Sequence, residues 1–396
     1  MAKNIIFCAD GTWNGPGQDE DHDRVADPTN VFKLFANLDG VDAPETTRLA
    51  DEQERRLATP NGTVRQVAKY LHGVGDSDNF LVRMGGGAGG AGLVTRVVRG
   101  YTFISRNYAA GDRIFVIGFS RGAYTARALA GLIAARGLLD ATRTDLAERE
   151  PAYGLGSAEW FEYRRRALQG KGNLLYALQE VAFDLPGFLT RPPTASRVAD
   201  VTIESVAVWD TVGALGIPAY NLGAQRLDAF QFADTALSSK VRHGLHAVAV
   251  DEQRADFTPT LWDPDARILQ ALFPGSHSDV GGGYPRRDGQ SGLSDGGLEW
   301  MMARLAGLEV TFAAAPPYPP SPDAGGVTHQ PWTQPPWSVL PRTPRTFRPD
   351  LALHRSVLDR LTCASTRTES APAPYNPQNL SQYIVAGQAK AGVTVV

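Results

Sequence analysis

Short runs dense in β-branched and aromatic residues recur along the chain, each closing on an acidic or glycine-rich turn and followed by a stretch with helical spacing of apolar positions. The runs predict strands at residues 4–10 (NIIFCAD), 63–72, 113–118 (RIFVIG), 202–210 (TIESVAVWD), 243–251 (HGLHAVAVD) and 267–273 (RILQALF). The run at 63–72 also reads as a helix, because QVAKYLH carries helical spacing. Helices are expected over 29–38, after the turn-forming Asp27-Pro28, and over 93–110, 121–136 and 293–305. Near-continuous apolar strands alternating with helices predict an α/β fold, a mostly parallel sheet with helices on both faces.

Two stretches break the alternation. From about 142 to 183, helical pieces mix with Gly and Pro between two strands that a crossover of a dozen or so residues would join. They read as a helical cap inserted near 140–200, over the top of the sheet where a lid sits. Residues 316–349 hold 11 of the 27 prolines and can be neither sheet interior nor long helix, because each proline removes a backbone donor. Trp332, Trp337 and Phe347 there favour an arm that wraps the domain over an exposed linker. The expected plan is one α/β domain over 1–310 with the helical insertion, then a Pro-rich arm and a loosely held C-terminal tail over 311–396.

Composition narrows the function. With 39 Lys and Arg against 42 Asp and Glu and no basic run, nothing supports nucleic acid as a main partner. Cys8 and Cys363 are too few for a disulfide framework or a thiolate zinc site, and Cys8 reads as a small buried hydrophobe. The opening apolar run stops at Asp10, short of a signal peptide, and no stretch approaches the ~18 apolar residues of a spanning helix. A cytoplasmic location is expected, with contact to a membrane surface allowed but no membrane span.

The most informative segment is Gly118-Phe119-Ser120-Arg121-Gly122, a G-x-S-x-G directly after a predicted strand and directly before a predicted helix. A serine on that sharp turn projects above the sheet at a helix N-terminus, where the backbone N–H of Arg121 can hold an oxyanion. A serine needs a base to take its proton and a carboxylate to orient the base, in chain order Ser, acid, His. His22 and His72 precede Ser120, His243 and His246 lie in a strand, His329 in the arm and His354 in a later helix-like stretch. His277 alone follows the last predicted strand on a glycine-flanked loop, over the edge where open α/β sheets bind ligands. For the acid, Asp210 in AVWDTVG and Asp251 in AVAVDEQR each end an apolar strand, and sequence mechanics leaves both open. Asp279 reads as a brace of the glycine loop. The turn at Asp10-Gly11-Thr12 ends the first strand at the same edge, so the Gly11 and Thr12 N–H groups are candidates for the rest of the oxyanion hole, with Asp10 bonding its own turn.

Three rivals stand beside this reading. Asp10, Asp210, His277 and Asp279 can be drawn as oxygen and imidazole ligands of a metal-dependent hydrolase, which leaves the serine turn unexplained. Gly85, Gly87 and Gly90 fit G-x-G-x-x-G, but a glycine run meets that pattern trivially and no strand leads into it. A non-catalytic binding protein on the same fold leaves the filled catalytic positions without a purpose.

Six ordered segments, NIIFCADGTWN, LHGVG at 71–75, GDRIFVIGFSRGAYTARALAGLI, VWDTVGALGIP, HAVAVDEQRADF and FPGSHSDVGGGY, span about residues 3–305. Together they resemble the domain-of-unknown-function family of α/β-hydrolase-like proteins that includes phospholipase effectors of bacterial type VI secretion. The resemblance implies an α/β-hydrolase-like fold and a serine hydrolase of esters, lipid or phospholipid acyl esters among them, with nucleophile Ser120, base His277 and, on family grounds, acid Asp210. It implies no cofactor and no metal, and a small-molecule ester or lipid as the partner.

Overall fold

The computed structural model describes residues 2–11, 17, 19, 25–43, 52–73, 88–169, 195–213, 235–335 and 337–396. Its centre is a nine-stranded sheet. In chain order the strands are β1 (Asn4–Ala9), β2 (Val41–Asp42), β3 (Glu52–Ala58), β4 (Val64–Leu71), β5 (Arg113–Phe119), β8 (Ile203–Trp209), β9 (Val241–Ala249), β10 (Ile268–Phe273) and β11 (Ala352–Leu353), while β6 (Leu138–Leu139) and β7 (Arg197–Val198) pair separately. The order across the sheet is β11-β10-β9-β8-β5-β1-β4-β3-β2. The seven strands from β11 to β4 are parallel, and β3 and β2 add on antiparallel at the far edge. The ambiguous run at 63–72 is therefore a strand, β4.

Alternation along the central strands makes two apolar faces. Ile5, Phe7 and Ala9 of β1 and Ile114 and Val116 of β5 pack with residues of α2 (Ala88–Asn107), α3 (Arg121–Arg136) and α4 (Arg149–Gln169). Ile6 and Cys8 with Phe115, Ile117 and Phe119 face the other way, onto α1 (Asn30–Asn37) and α6 (Gly292–Gly307). The described part of the helical insertion, α4, lies against α2 and α3: Trp160 is buried there, and Glu159 pairs with Arg136 at 2.8 Å and with Arg197 at 2.9 Å. Residues 170–194 lie outside the described residues.

The charged strand β3 is legible as an edge only once its partners are seen. Glu52 and Glu54 meet Lys69 of β4 at 2.8 and 3.0 Å, so the buried ammonium of a central strand is neutralised by its neighbour. At the opposite edge the arm enters the core. Phe347, Leu351, Leu353, Leu380 and Tyr383 pack on Val248, Val250 and Leu272, followed by α7 (Arg355–Thr362). Arg360 of α7 is buried and donates to the carbonyls of Ala324, Gly326 and Arg367, which ties the arm's loops together. The C-terminal tail is not loosely held as expected. Leu353 N–H donates to Thr394 O at 2.8 Å and Val396 N–H to Leu353 O at 2.9 Å, so the last residues pair along β11.

Candidate active site

Ser120 stands between β5 and α3 with φ +57° and ψ −125°, a conformation that L-residues with a side chain rarely take. The flanking glycines explain why the turn closes. A Cβ on Gly118 would sit 2.4 Å from Gly122 O, and one on Gly122 would sit 2.1 Å from Ala9 O. The strained serine is thus held by backbone contacts that only glycine permits at those two positions. Arg121 opens α3, where amide N–H groups point out of the helix end.

Ser120 and Asp210 end neighbouring parallel strands. Phe119 is paired with Trp209, and Ser120 N–H donates to Trp209 O at 3.1 Å. Asp210 also has positive φ, +37°, and is fully buried. Its Oδ2 lies 2.5 Å from His277 Nδ1, while its Oδ1 accepts from Ala249 N–H at 2.9 Å. Asp210 taking Nδ1 leaves Nε2 as the ring nitrogen for a hydroxyl. His277 begins α5 (His277–Gly281), a single turn after β10. Its ring lies 4.6 Å from Phe119, the residue before Ser120, and 5.0 Å edge-on from Phe257. Burial pushes the imidazole pKa down, with Asp210 opposing and Arg254 reinforcing the shift. The shift favours the neutral ring.

Asp210 has one more partner, which lies far along the chain. Arg345, from the Pro-rich arm, reaches both carboxylate oxygens, Nη1 to Oδ1 at 2.7 Å and Nη2 to Oδ2 at 2.9 Å. Burial alone would raise the Asp210 pKa, but Arg345 and His277 outweigh it and hold the carboxyl well below the usual carboxylate range. No sequence signal marks Arg345 among the arm's other arginines.

The remaining candidates are held separately. Asp251 accepts from Gly275 N–H at 2.6 Å and from Tyr375 Oη at 3.1 Å, and burial pushes its pKa up to about 6. Asp279 does brace the glycine loop: its Oδ2 accepts from Ser276 N–H at 2.8 Å, and its Oδ1 lies 2.6 Å from His329 Nδ1. Glu252 accepts His277 N–H at 3.2 Å and is paired with Arg254 at 2.8 Å. His246 is a buried acceptor for Thr211 N–H at 3.1 Å, its pKa pushed down to about 3 by burial and then by Arg127.

Asp10 accepts from Thr29 Oγ1 at 2.8 Å and Tyr70 Oη at 2.7 Å. Its Oδ1 also takes the Gly11 N–H at 2.7 Å, so Gly11 is not positioned as an oxyanion donor: the short side chain of Asp10 closes on its own turn first. Thr12 lies outside the described residues, as do Gly85 and Gly87 of the glycine run. Asp10, Asp210 and Asp279, drawn together as metal ligands in the metal-dependent rival, are each bound to different partners. Among the described residues, no group of three or more His, Cys, Asp or Glu side chains is arranged to hold a metal ion.

Comparison with known proteins places the chain. The model of the family described as T6SS, Phospholipase effector Tle1-like, catalytic domain matches residues 3–304. The chain belongs to this family. The chain is also similar to an uncharacterized protein of Saccharomyces cerevisiae, YEL023C, with 28% identity over 262 residues, 66% of this chain and 33% of the yeast protein. The Tle1-like chain thus spans about a third of that relative's length. Among solved structures, an uncharacterized protein from Pseudomonas aeruginosa matches at 16% identity and TM-score 0.41, over 78% of this chain and 46% of that one. The Tle1 effector bound to the VgrG spike of the type 6 secretion system matches at 18% identity and TM-score 0.36, over 72% and 52%. Arg345 and His329, which hold Asp210 and Asp279, both lie beyond residue 304, outside the matched span.

Proposed function

We propose that this Tle1-like protein is a serine hydrolase of carboxylic esters, with lipid acyl esters as its substrate class. Ser120 Oγ attacks the ester carbonyl while His277 Nε2 takes its proton, and Asp210 steadies the imidazolium through Nδ1. The N–H of Arg121, at the mouth of α3, receives the developing oxyanion, with Thr12 the candidate for the second donor. Collapse of the tetrahedral intermediate expels the alcohol, which takes the proton from His277. Water then attacks the acyl-enzyme with His277 again as base, releasing the acid and restoring Ser120. The observation that carries the reading is the Asp210–His277 contact at 2.5 Å, with the imidazole packed on the residue next to a serine of positive φ. The lipid class rests on the family match.

A fluorophosphonate probe should label the wild type at Ser120 and leave Ser120→Ala unlabelled, with ester turnover falling at least ~10³-fold in that variant. Equal labelling of the two proteins removes the serine mechanism. Initial rates across short esters, long-chain esters and phospholipid vesicles then test the lipid class, which fails if short soluble esters are turned over best.

A further inference from the structure

The acid of a Ser-His-acid site is ordinarily read as an uncompensated carboxylate facing the imidazole. Here a buried guanidinium grips the same carboxylate in a two-pronged pair, and Asp210 Oδ2 is shared between Arg345 Nη2 at 2.9 Å and His277 Nδ1 at 2.5 Å. Arg345 also donates to Ala249 O at 2.8 Å and to Phe257 O, so its fork is anchored to the end of β9 and to the residue whose ring lies against the imidazole. We propose that Arg345 is a positioning residue for ester hydrolysis: its fork fixes the plane of the Asp210 carboxylate, and its charge offsets that of Asp210 so that His277 stays a neutral base at lower pH.

The inference rests on the serine-hydrolase reading above. Two planar groups joined by two parallel hydrogen bonds leave the carboxylate little freedom to rotate, so Oδ2 stays aimed at Nδ1. The electrostatic part follows from the charges that face His277. Asp210 from the end of β8 and Glu252 after β9 favour the imidazolium, while Arg254 after β9 disfavours it. The Arg345 guanidinium shares Asp210 Oδ2 with the ring and so adds a second positive charge on that side. Asp279 on α5 itself is bound to His329 of the arm. Removing Arg345 leaves two buried carboxylates against one arginine, which raises the affinity of the ring for a proton.

The test is the pH profile of kcat/KM on an activated ester for the full chain and its Arg345→Gln and Arg345→Lys variants, with folding checked by thermal melting. Arg345→Gln should move the midpoint of the acid limb up by about one pH unit. Arg345→Lys, which keeps a charge and loses the fork, should hold the midpoint while kcat falls about tenfold and KM changes less than about twofold. A folded Arg345→Gln protein whose rate drops equally at every pH overturns the electrostatic part. If that variant does not fold, Arg345→Lys decides: wild-type kcat in it overturns the positioning role. Failure of the wild type to react with the fluorophosphonate at Ser120 sinks the parent reading instead, whatever the Arg345 variants do.

Discussion

Asp210 and Asp251 each follow an apolar strand, on neighbours β8 and β9 of the same parallel sheet, Asp210 directly after Trp209 and Asp251 just past Ala249 and Val250. Their surroundings are opposite. Asp210 faces a guanidinium and an imidazole and is held ionised; Asp251 faces a backbone N–H and a tyrosine hydroxyl, and burial pushes it up to about 6. The pair teaches that position at the sheet edge confers access to the site, while the charge state that suits a residue to a role comes from whatever distant chain segment packs over it. For Asp210 that segment is the arm at 345, and for Asp251 it is the loop at 375.

The largest effect expected from this contrast is on turnover. Asp210→Asn should lower kcat about 10³–10⁴-fold, since an amide cannot steady the imidazolium. Asp251→Asn should stay within about threefold of the wild type, because its amide oxygen can still accept the Gly275 N–H. Similar losses in both variants, measured on one activated ester, would erase the distinction.

Next in size is stability against pH. Asp251 has a folded pKa raised above its unfolded value near 3.9, so between about pH 4 and 6 the native state binds the extra proton. Stability therefore rises as pH falls from 7 to 5, by about 1–2 kcal/mol after allowing for the partial exposure of this residue. Asp210 works in the other direction: its depressed pKa gives stability that is present above pH 4 and lost as the pH falls further. Urea titrations should thus show a maximum near pH 4, and Asp251→Asn should flatten the rise from 7 to 5 while leaving the loss below 4. An unchanged rise in that variant would assign it to another group.

The smallest effect sharpens the comparison on the Asp251 side. Tyr375→Phe removes a hydroxyl that favours the ionised carboxyl, so the Asp251 pKa should move further up and stability at pH 7 should fall by about 1 kcal/mol, with kcat unchanged. Carboxyl NMR shifts across pH 5–8 read the first change and thermal melting the second.

Much of the frame was legible in the sequence because local rules govern it. Apolar runs gave β1, β5, β8, β9 and β10, and the serine turn follows from two glycines whose neighbours leave no room for a Cβ. Long-range partners were not legible. Nothing local in the sequence marks Glu52 and Glu54 as partners of the buried Lys69 on the next strand. Gly11 reads as an oxyanion donor until the Asp10 side chain is seen to take its N–H. The choice between Asp210 and Asp251 depends on Arg345 and Tyr375, more than a hundred residues downstream of each, and no spacing rule reaches so far.

The two ends of the sheet carry a consequence for behaviour at high concentration. A nine-stranded sheet offers two rows of unpaired backbone groups to any other copy of the chain, and such rows seed aggregation when they are long and flat. Here the outermost strands, β2 and β11, are two residues each. Beyond β11, residues 394–396 take up the backbone groups of Leu353 and Arg355, and beside β2 the charged pair of Arg55 and Asp42 marks the rim. Edges this short, one covered and one charged, leave little unpaired backbone for a second sheet to add to.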